Sequence, residues 1–193
     1  MIDPTALAQL FQAARTFSRW EARDVPDEVI DSALQTALLG PTSGNCEPMR
    51  VVLVKSREGK ERLLPCVSSG NADKVRTAPV TAIVAYDTLF YEHLPRLFPH
   101  TDARAWFTSN EALATETAFR NSALQGAYFI LALRAHGLDC GPMSGFNPKA
   151  VDEAFFPDGR LRVNFLLNIG YGNRAALHPR PPRLDLGEVA RWA

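Results

Sequence analysis

Three runs rich in β-branched and aliphatic residues punctuate the chain: RVVLVK at 50–55, PVTAIVAY at 79–86 and VNFLLNIGYG at 163–172. Their spacing is unequal, one short gap and one very long one, with helical patterns of different lengths between. A parallel βαβ array would alternate strand and crossover helix at regular intervals. Here the strands are too few and too irregularly set. The pattern predicts an α+β sandwich, with a sheet of about four strands flanked by helices. Pro79 opens the second run, where a missing N–H is tolerated. A length of 193 residues with 46% hydrophobic content suits one domain over 1–193.

The helical segments have their own punctuation. Asp3 followed by Pro4 predicts an N-cap and first helical residue opening ALAQLFQAA. Pro26 opens a second helix, in which Val29, Ile30, Ala33, Leu34, Ala37 and Leu38 keep helical spacing and Gly40 supplies the stop. REGKERLLPCV and PKAVDEAFF read as short helices. TETAFRNSALQGAYFILALRAHG reads as a long one ended by Gly137, and its widening apolar coverage predicts a central buried helix. The pattern assigns no element to LDCGPMSGF. Between the second run and the long helix, residues 88–111 mix Phe90, Tyr91, Phe98, Trp106 and Phe107 with charges and prolines. That is too aromatic for a linker and too irregular for a core helix, so an excursion or lid is expected. A basic, proline-rich tail precedes a last turn or short helix.

Several chemistries are disfavoured. Lys plus Arg equals Asp plus Glu, 21 each, which leaves no electrostatic footprint for nucleic acid or an acidic membrane surface. The three cysteines, Cys46, Cys66 and Cys140, form no CxxC, which argues for a reducing compartment. The N-terminus has no signal-peptide pattern and no apolar run reaches membrane-spanning length, so a cytoplasmic protein is expected. His93, His100, His136 and His178 lack metal-ligand spacing, and His136 beside Gly137 reads as a cation at a helix end. There is no GxGxxG after the first strand, no GxxxxGK[ST] and no GxSxG. With no catalytic side chain evident, hard chemistry would come from a bound cofactor.

Four segments carry more polar and conformational equipment than packing needs: RTFSR at 15–19, GPTSGNCEPM at 40–49, GPMSGF at 141–146, and the tail arginines Arg174, Arg180 and Arg183. Arginines from distant segments can converge on a phosphate. Pro41 to Asn45 offer hydroxyl, amide and backbone donors. Gly141 and Gly145 are expected to let the backbone approach a flat ring. Any one segment is explained by a surface arginine or an ordinary loop. Together they suit a polyol phosphate joined to a heteroaromatic.

In these segments, from residue 10 to about 188, the chain resembles the nitroreductase-like FMN flavoprotein family. That family's Arg-x-Ser-x-Arg/Lys motif corresponds to Arg15–Arg19, and its Pro-Ser-Ser-x-Asn-x-Gln-Pro-Trp loop to PTSGNCEPM. Its Pro-x-x-Gly-Phe segment corresponds to Pro142–Phe146, its late Gly-Tyr/His strand to NIGYG, and its final phosphate-binding arginine to Arg183. RTFSRW, GPTSGNCEP, SSGNADKVRTAPVTAIVA, the aromatic excursion, AFRNSALQGAY and GPMSGF are further similar to the subgroup of malonic semialdehyde reductases of bacterial pyrimidine utilisation. Phe17 departs from the family at the usual serine, Glu47 and Met49 replace Gln and Trp, and Ser144 stands where many members have glutamate.

The resemblance implies a mostly antiparallel central sheet and a homodimer that exchanges C-terminal segments and binds FMN between subunits. NADH or NADPH would be the donor, and a small aldehyde, malonic semialdehyde, the acceptor, with hydride passing through flavin N5 in alternate half-reactions to give 3-hydroxypropanoate. It implies Arg15 and Arg183 on the phosphate, with Ser18 beside them and Arg180 as a weaker candidate. Arg19 and Lys74 would lie near the pyrimidine end. Pro41, Thr42, Ser43 and Asn45 would hold the ribityl chain and ring edge. Pro142, Met143, Ser144 and Gly145 would lie at the ring, with an N–H of Ser144 or Gly145 to N5. Arg104 or Arg96 would meet the substrate carboxylate. A broad nitro- or quinone reductase and a non-catalytic FMN-binding module stay open as alternatives.

Overall fold

In a computed structural model that describes residues 1–193, four strands form one antiparallel sheet in the order β1-β2-β4-β3. They are β1 Met49–Val54, β2 Val80–Asp87, β3 Asp139–Met143 and β4 Leu161–Gly170. The α+β expectation holds, and the fourth strand is the unassigned LDCGPMSGF segment. β3 reads DCGPM. Its glycine and proline are poor strand formers, tolerated because β3 is the sheet's edge, with β4 its only strand neighbour.

Both faces of the sheet are covered, so β2 is buried along nearly its whole length and shows no two-residue alternation. Val80, Ala82 and Val84 pack with Ile30, Ala33 and Ala37 of α2 (Asp27–Ala37) and Phe129 and Leu133 of α7 (Glu111–Ala135). Ile83 and Ala85 face the opposite layer, meeting Leu63 of α3 (Arg57–Leu63), Val75 of α4 (Ser69–Thr77) and Val151 of α8 (Pro148–Phe155).

Several helix boundaries differ from expectation for local reasons. Asp3 does cap α1 (Pro4–Leu7), accepting from the Thr5 and Ala6 N–H groups, but the helix relaxes into a π-turn at Ala8–Gln12. Gly40 is not the left-handed stop of α2. A Cβ there would fall 2.7 Å from the Tyr128 ring, so close approach is what requires glycine. α7 begins at Glu111, ahead of the expected Thr115, because the Asn110 side chain caps it through Leu113 N–H. Gly137, at φ +79°, ends it as expected. The helix is only partly buried: Phe119, Leu124 and Tyr128 are exposed. α4 was not legible, since SSGNADKVRT carries no apolar stripe and buries only Asn71 and Val75.

The excursion is ordered. It contains α5 (Leu94–Leu97) and α6 (Ala105–Thr108), and Phe90, Leu94 and Ala103 form a small core with Cys46, Ala114 and Ala118. Asp87 roots it. This carboxylate is 1% exposed, accepts from Leu89 N–H, and pairs with Arg50 and with both arms of Arg160. Burial pushes its pKa up, but Arg160, the Leu89 N–H and Arg50 outweigh that and hold the carboxyl below its ordinary value. The tail runs back along the N-terminal segment before α9 (Leu186–Val189), leaving Leu184, Leu186, Val189 and Trp192 exposed. No helix is long and apolar enough to cross a membrane.

Candidate functional site

Residues 15–19 lie against the edge strand. Thr16 bridges Cys140 in parallel register, and Phe17 N–H donates to the Cys140 carbonyl at 2.9 Å. The Phe17 ring occupies the space a Gly172 side chain would take, and a Cβ on Gly141 would overlap the Phe17 carbonyl oxygen. Phe17 therefore fills the serine position of the motif as a buried plug. Gly141 is glycine because Phe17 leaves no room for a side chain.

This pinning turns Arg15 and Ser18 into a cavity of about 460 Å³ that Arg134, Arg180 and Arg183 also line. The lining contains four arginines and no aspartate or glutamate. Each guanidinium is steadied by backbone oxygens. Arg15 donates to the His178 carbonyl at 2.6 Å, and Arg180 to those of Gln12 and Ala14 at 2.7 and 2.8 Å. Arg183 reaches the Pro181 and Pro182 carbonyls at 3.3 and 3.2 Å. Arg134 donates to the Leu10 carbonyl at 3.0 Å, and its buried Nε has no partner. Sequence reasoning missed Arg134, because a basic residue in a last helical turn is already explained by the helix dipole.

The Pro142–Phe146 turn continues from β3 and is held by α4. Ser68 N–H and Asn71 Nδ2 both donate to the Gly145 carbonyl at 3.0 Å, and Lys74 Nζ donates to Asn71 Oδ1 at 2.9 Å. A Cβ on Gly145 would come within 2.5 Å of Asn71 Nδ2, so this glycine too is required by its neighbour. The Ser144 and Gly145 N–H groups make no internal hydrogen bond. Pro142 and Ser144 are exposed and Met143 is half-buried. Asn71, also missed, joins Lys74 to the turn. The only signal for it was its position three residues before Lys74 on a helix the pattern did not reveal. Arg19 is exposed, and its carbonyl accepts from Asn173 N–H.

Pro41, Thr42 and Ser43 line a separate cavity of about 400 Å³ with Thr117, Arg120, Asn121 and Leu124 of α7. Ser43 N–H donates to buried Asn121 at 2.8 Å. Gly44, Asn45 and Glu47 adopt left-handed φ values of 57°, 51° and 39°. For the two non-glycine residues that costs about 1–3 kcal/mol each. Asn45 turns away from this cavity and donates to the Leu97 carbonyl at 2.9 Å, tying the loop to the excursion. Within one chain this loop does not join the arginine cavity. Leu124 and Arg134, which line the two, are about 15 Å apart along α7. Arg104 forks onto Glu92 with two bonds of 2.8 Å, while Arg96 is exposed and has no ion pair. Burial pushes the Cys46 and Cys140 thiols up to about 11 and about 12, unfavourable for thiolate chemistry.

Residues 12–171 match the model of the nitroreductase family. The chain is 53% identical over 99% of its length to a protein of Polynucleobacter asymbioticus, and 54% identical over 98% to one of Burkholderia lata, covering 97% of each. Both carry the name "Putative NADH dehydrogenase/NAD(P)H nitroreductase". The fold superposes with a TM-score of 0.87 on a crystal structure from Exiguobacterium sibiricum, described as "a putative nitroreductase in complex with FMN". The two are 24% identical, over 100% of this chain and 98% of that one.

Proposed function

The chain belongs to the nitroreductase family, and from that premise we propose that it is an FMN-dependent NAD(P)H oxidoreductase reducing malonic semialdehyde to 3-hydroxypropanoate in pyrimidine degradation. One observation carries the FMN reading: four arginines line a cavity without a single carboxylate. Guanidinium groups held on backbone oxygens, with no carboxylate in the lining, suit a phosphate dianion. The residues present also fit the ring. The Ser144 and Gly145 N–H groups are free to donate, and Lys74, positioned by Asn71, brings a cation to the same turn.

In this reading Arg15, Arg183 and Ser18 hold the phosphate, with Arg134 and Arg180 behind them. Arg19 and Lys74 place positive charge by the pyrimidine end, and Pro142 to Gly145 supply backbone contact to the ring edge. Bound FMN supplies the two-electron chemistry between NAD(P)H and the acceptor. Pro41, Thr42 and Ser43 complete the site from the second subunit of a homodimer, since within one chain they lie apart from the arginines, and Asn45 joins them once it leaves the Leu97 carbonyl. Arg96, exposed and without an ion pair, receives the substrate carboxylate, and Arg104 is the alternative after release from Glu92. The semialdehyde assignment rests on the phrases shared with that subgroup.

The test begins with colour. A yellow protein whose visible absorbance bleaches anaerobically on adding NADH or NADPH supports the reading. Tight flavin without bleaching makes the chain a binding module, and a colourless protein with no FMN affinity ends the proposal. The names of the relatives favour a broader reductase as a second reading. Faster turnover on nitroaromatics or quinones than on malonic semialdehyde selects it.

A further inference from the structure

Lys60, on α3, is 8% exposed and has no carboxylate partner. Its Nζ donates to the Val75 carbonyl at 2.8 Å and to Thr81 Oγ1 at 2.7 Å. Thr81 Oγ1 donates in turn to Asn168 Oδ1 at 2.7 Å, and Asn168, 1% exposed, keeps an Nδ2 with no partner. A buried ammonium facing only neutral oxygens is costly to maintain, and packing alone would be served by methionine.

Its two contacts lead to the two walls of the Pro142–Gly145 turn. Val75 follows Lys74 on α4, the helix whose Asn71 and Lys74 hold Gly145. Asn168 stands opposite Gly141 in the β3–β4 register, one residue before Pro142. The other charged groups nearby are engaged elsewhere. On α3, Arg57 pairs with Glu61, Arg62 binds the Ala154 carbonyl and Glu58 is exposed. On α4, Arg76 pairs with Asp73 and Lys74 binds Asn71. The Cys66 thiol, pushed up by burial, faces the Arg62 carbonyl. β2 and β4 present only Thr81 and Asn168 to Lys60.

We propose that Lys60 is a buried positioning charge behind the ring end of the site, taking up a proton when electrons are placed on a flavin bound there. The inference rests on the FMN reading and deepens it. Negative charge arriving at the turn favours the protonated amine, and by reciprocity the protonated amine favours arrival of that charge. Burial alone lowers the Lys60 pKa to about 8, so the group is poised to exchange its proton in mildly alkaline solution.

The experiment is the midpoint potential of the FMN-loaded protein against pH, by equilibration with a redox dye, for wild type, Lys60→Met and Lys60→Arg. From about pH 7 upward, the range in which the reduced ring itself keeps one added proton, the wild-type slope should correspond to about one proton per electron pair below pH 8 and steepen toward about two above it. Lys60→Met, with no amine, and Lys60→Arg, which stays charged, should both hold about one proton per pair across the range. A purely structural Lys60 would change stability or flavin affinity without moving the break. An unbroken wild-type line, which needs no variant to fold, overturns the proposal and leaves the FMN reading standing. A break that persists in Lys60→Met overturns it equally. A protein with no affinity for FMN removes both.

Discussion

Gly141 and Gly145 sit in the same turn-rich segment, yet a methyl group on each meets a different obstacle. At Gly141 it overlaps the backbone carbonyl of Phe17, a residue whose N–H donates to the Cys140 carbonyl and holds the segment in place. Gly141→Ala is expected to destabilise the protein by about 3 kcal/mol or more, because the backbone has nowhere to go. At Gly145 the nearest atom is Asn71 Nδ2, the end of a side chain that can rotate. Gly145→Ala should cost less than about 1 kcal/mol in stability. It should still weaken FMN binding, because the rotation breaks the link from Gly145 to Lys74. Thermal melts of the two apoproteins beside fluorescence titrations with FMN check the contrast. Equal melts, or equal affinities for Gly145→Ala and wild type, would show that the glycines do not divide the work this way.

Among the elements, the excursion is the one whose behaviour depends on a few charges. Asp87 holds both Arg50 and Arg160 at its root, and its pKa is lower in the folded chain than in the unfolded one. Its contribution is therefore present above the unfolded value of 3.8 and is lost as pH falls through the lower folded value. Asp87→Asn should lower stability near neutrality by about 2 kcal/mol and flatten the acid limb of a denaturant midpoint against pH. An unchanged acid limb would place the acid sensitivity elsewhere. Within the excursion, Arg96→Ala should raise KM for the semialdehyde several-fold, whereas Arg104→Ala should chiefly loosen the segment by freeing Glu92. Steady-state kinetics that put the KM effect on Arg104 alone would reverse that assignment. Helices and strands with strong apolar patterns were legible: α2, most of α7, β1, β2 and β4. α4 and β3 were not, because one carries no apolar stripe and the other contains Gly141 and Pro142, and both are fixed by tertiary contacts. The site divides the same way. Arg15 and Arg183 were singled out as motif positions and line one cavity, while Arg134 joins that cavity and Asn71 joins the turn through neighbours that only the fold supplies.

At the scale of the whole molecule, one group of exposed apolar residues stands beside the Pro41–Ser43 loop. Leu38 and Leu39 at the end of α2 lie beside Gly40, which packs on the Tyr128 ring, and Leu124 stands one turn before Tyr128 on the same side of α7. Apolar side chains grouped in this way are what an interface between two copies would bury. The formal net charge of zero sets no repulsion against pairing two copies. Leu124 also lines the cavity that holds Pro41, Thr42 and Ser43, so a two-fold partner across this face would reach the loop left apart from the arginines. Leu39, 84% exposed, gives the sharpest test. In a monomer Leu39→Glu would change stability by no more than about 0.5 kcal/mol and leave flavin binding alone. In the dimer it would bury unpaired charges at the interface and drive the subunits apart. Sedimentation equilibrium is expected to show a wild-type dimer and a Leu39→Glu monomer. FMN affinity should fall at least tenfold in the variant, since the arginine cavity would keep the phosphate while the ring lost the partner's loop. A wild-type monomer that retains FMN, or a dissociated variant that binds it as tightly as wild type, would mean that one chain builds the whole cradle.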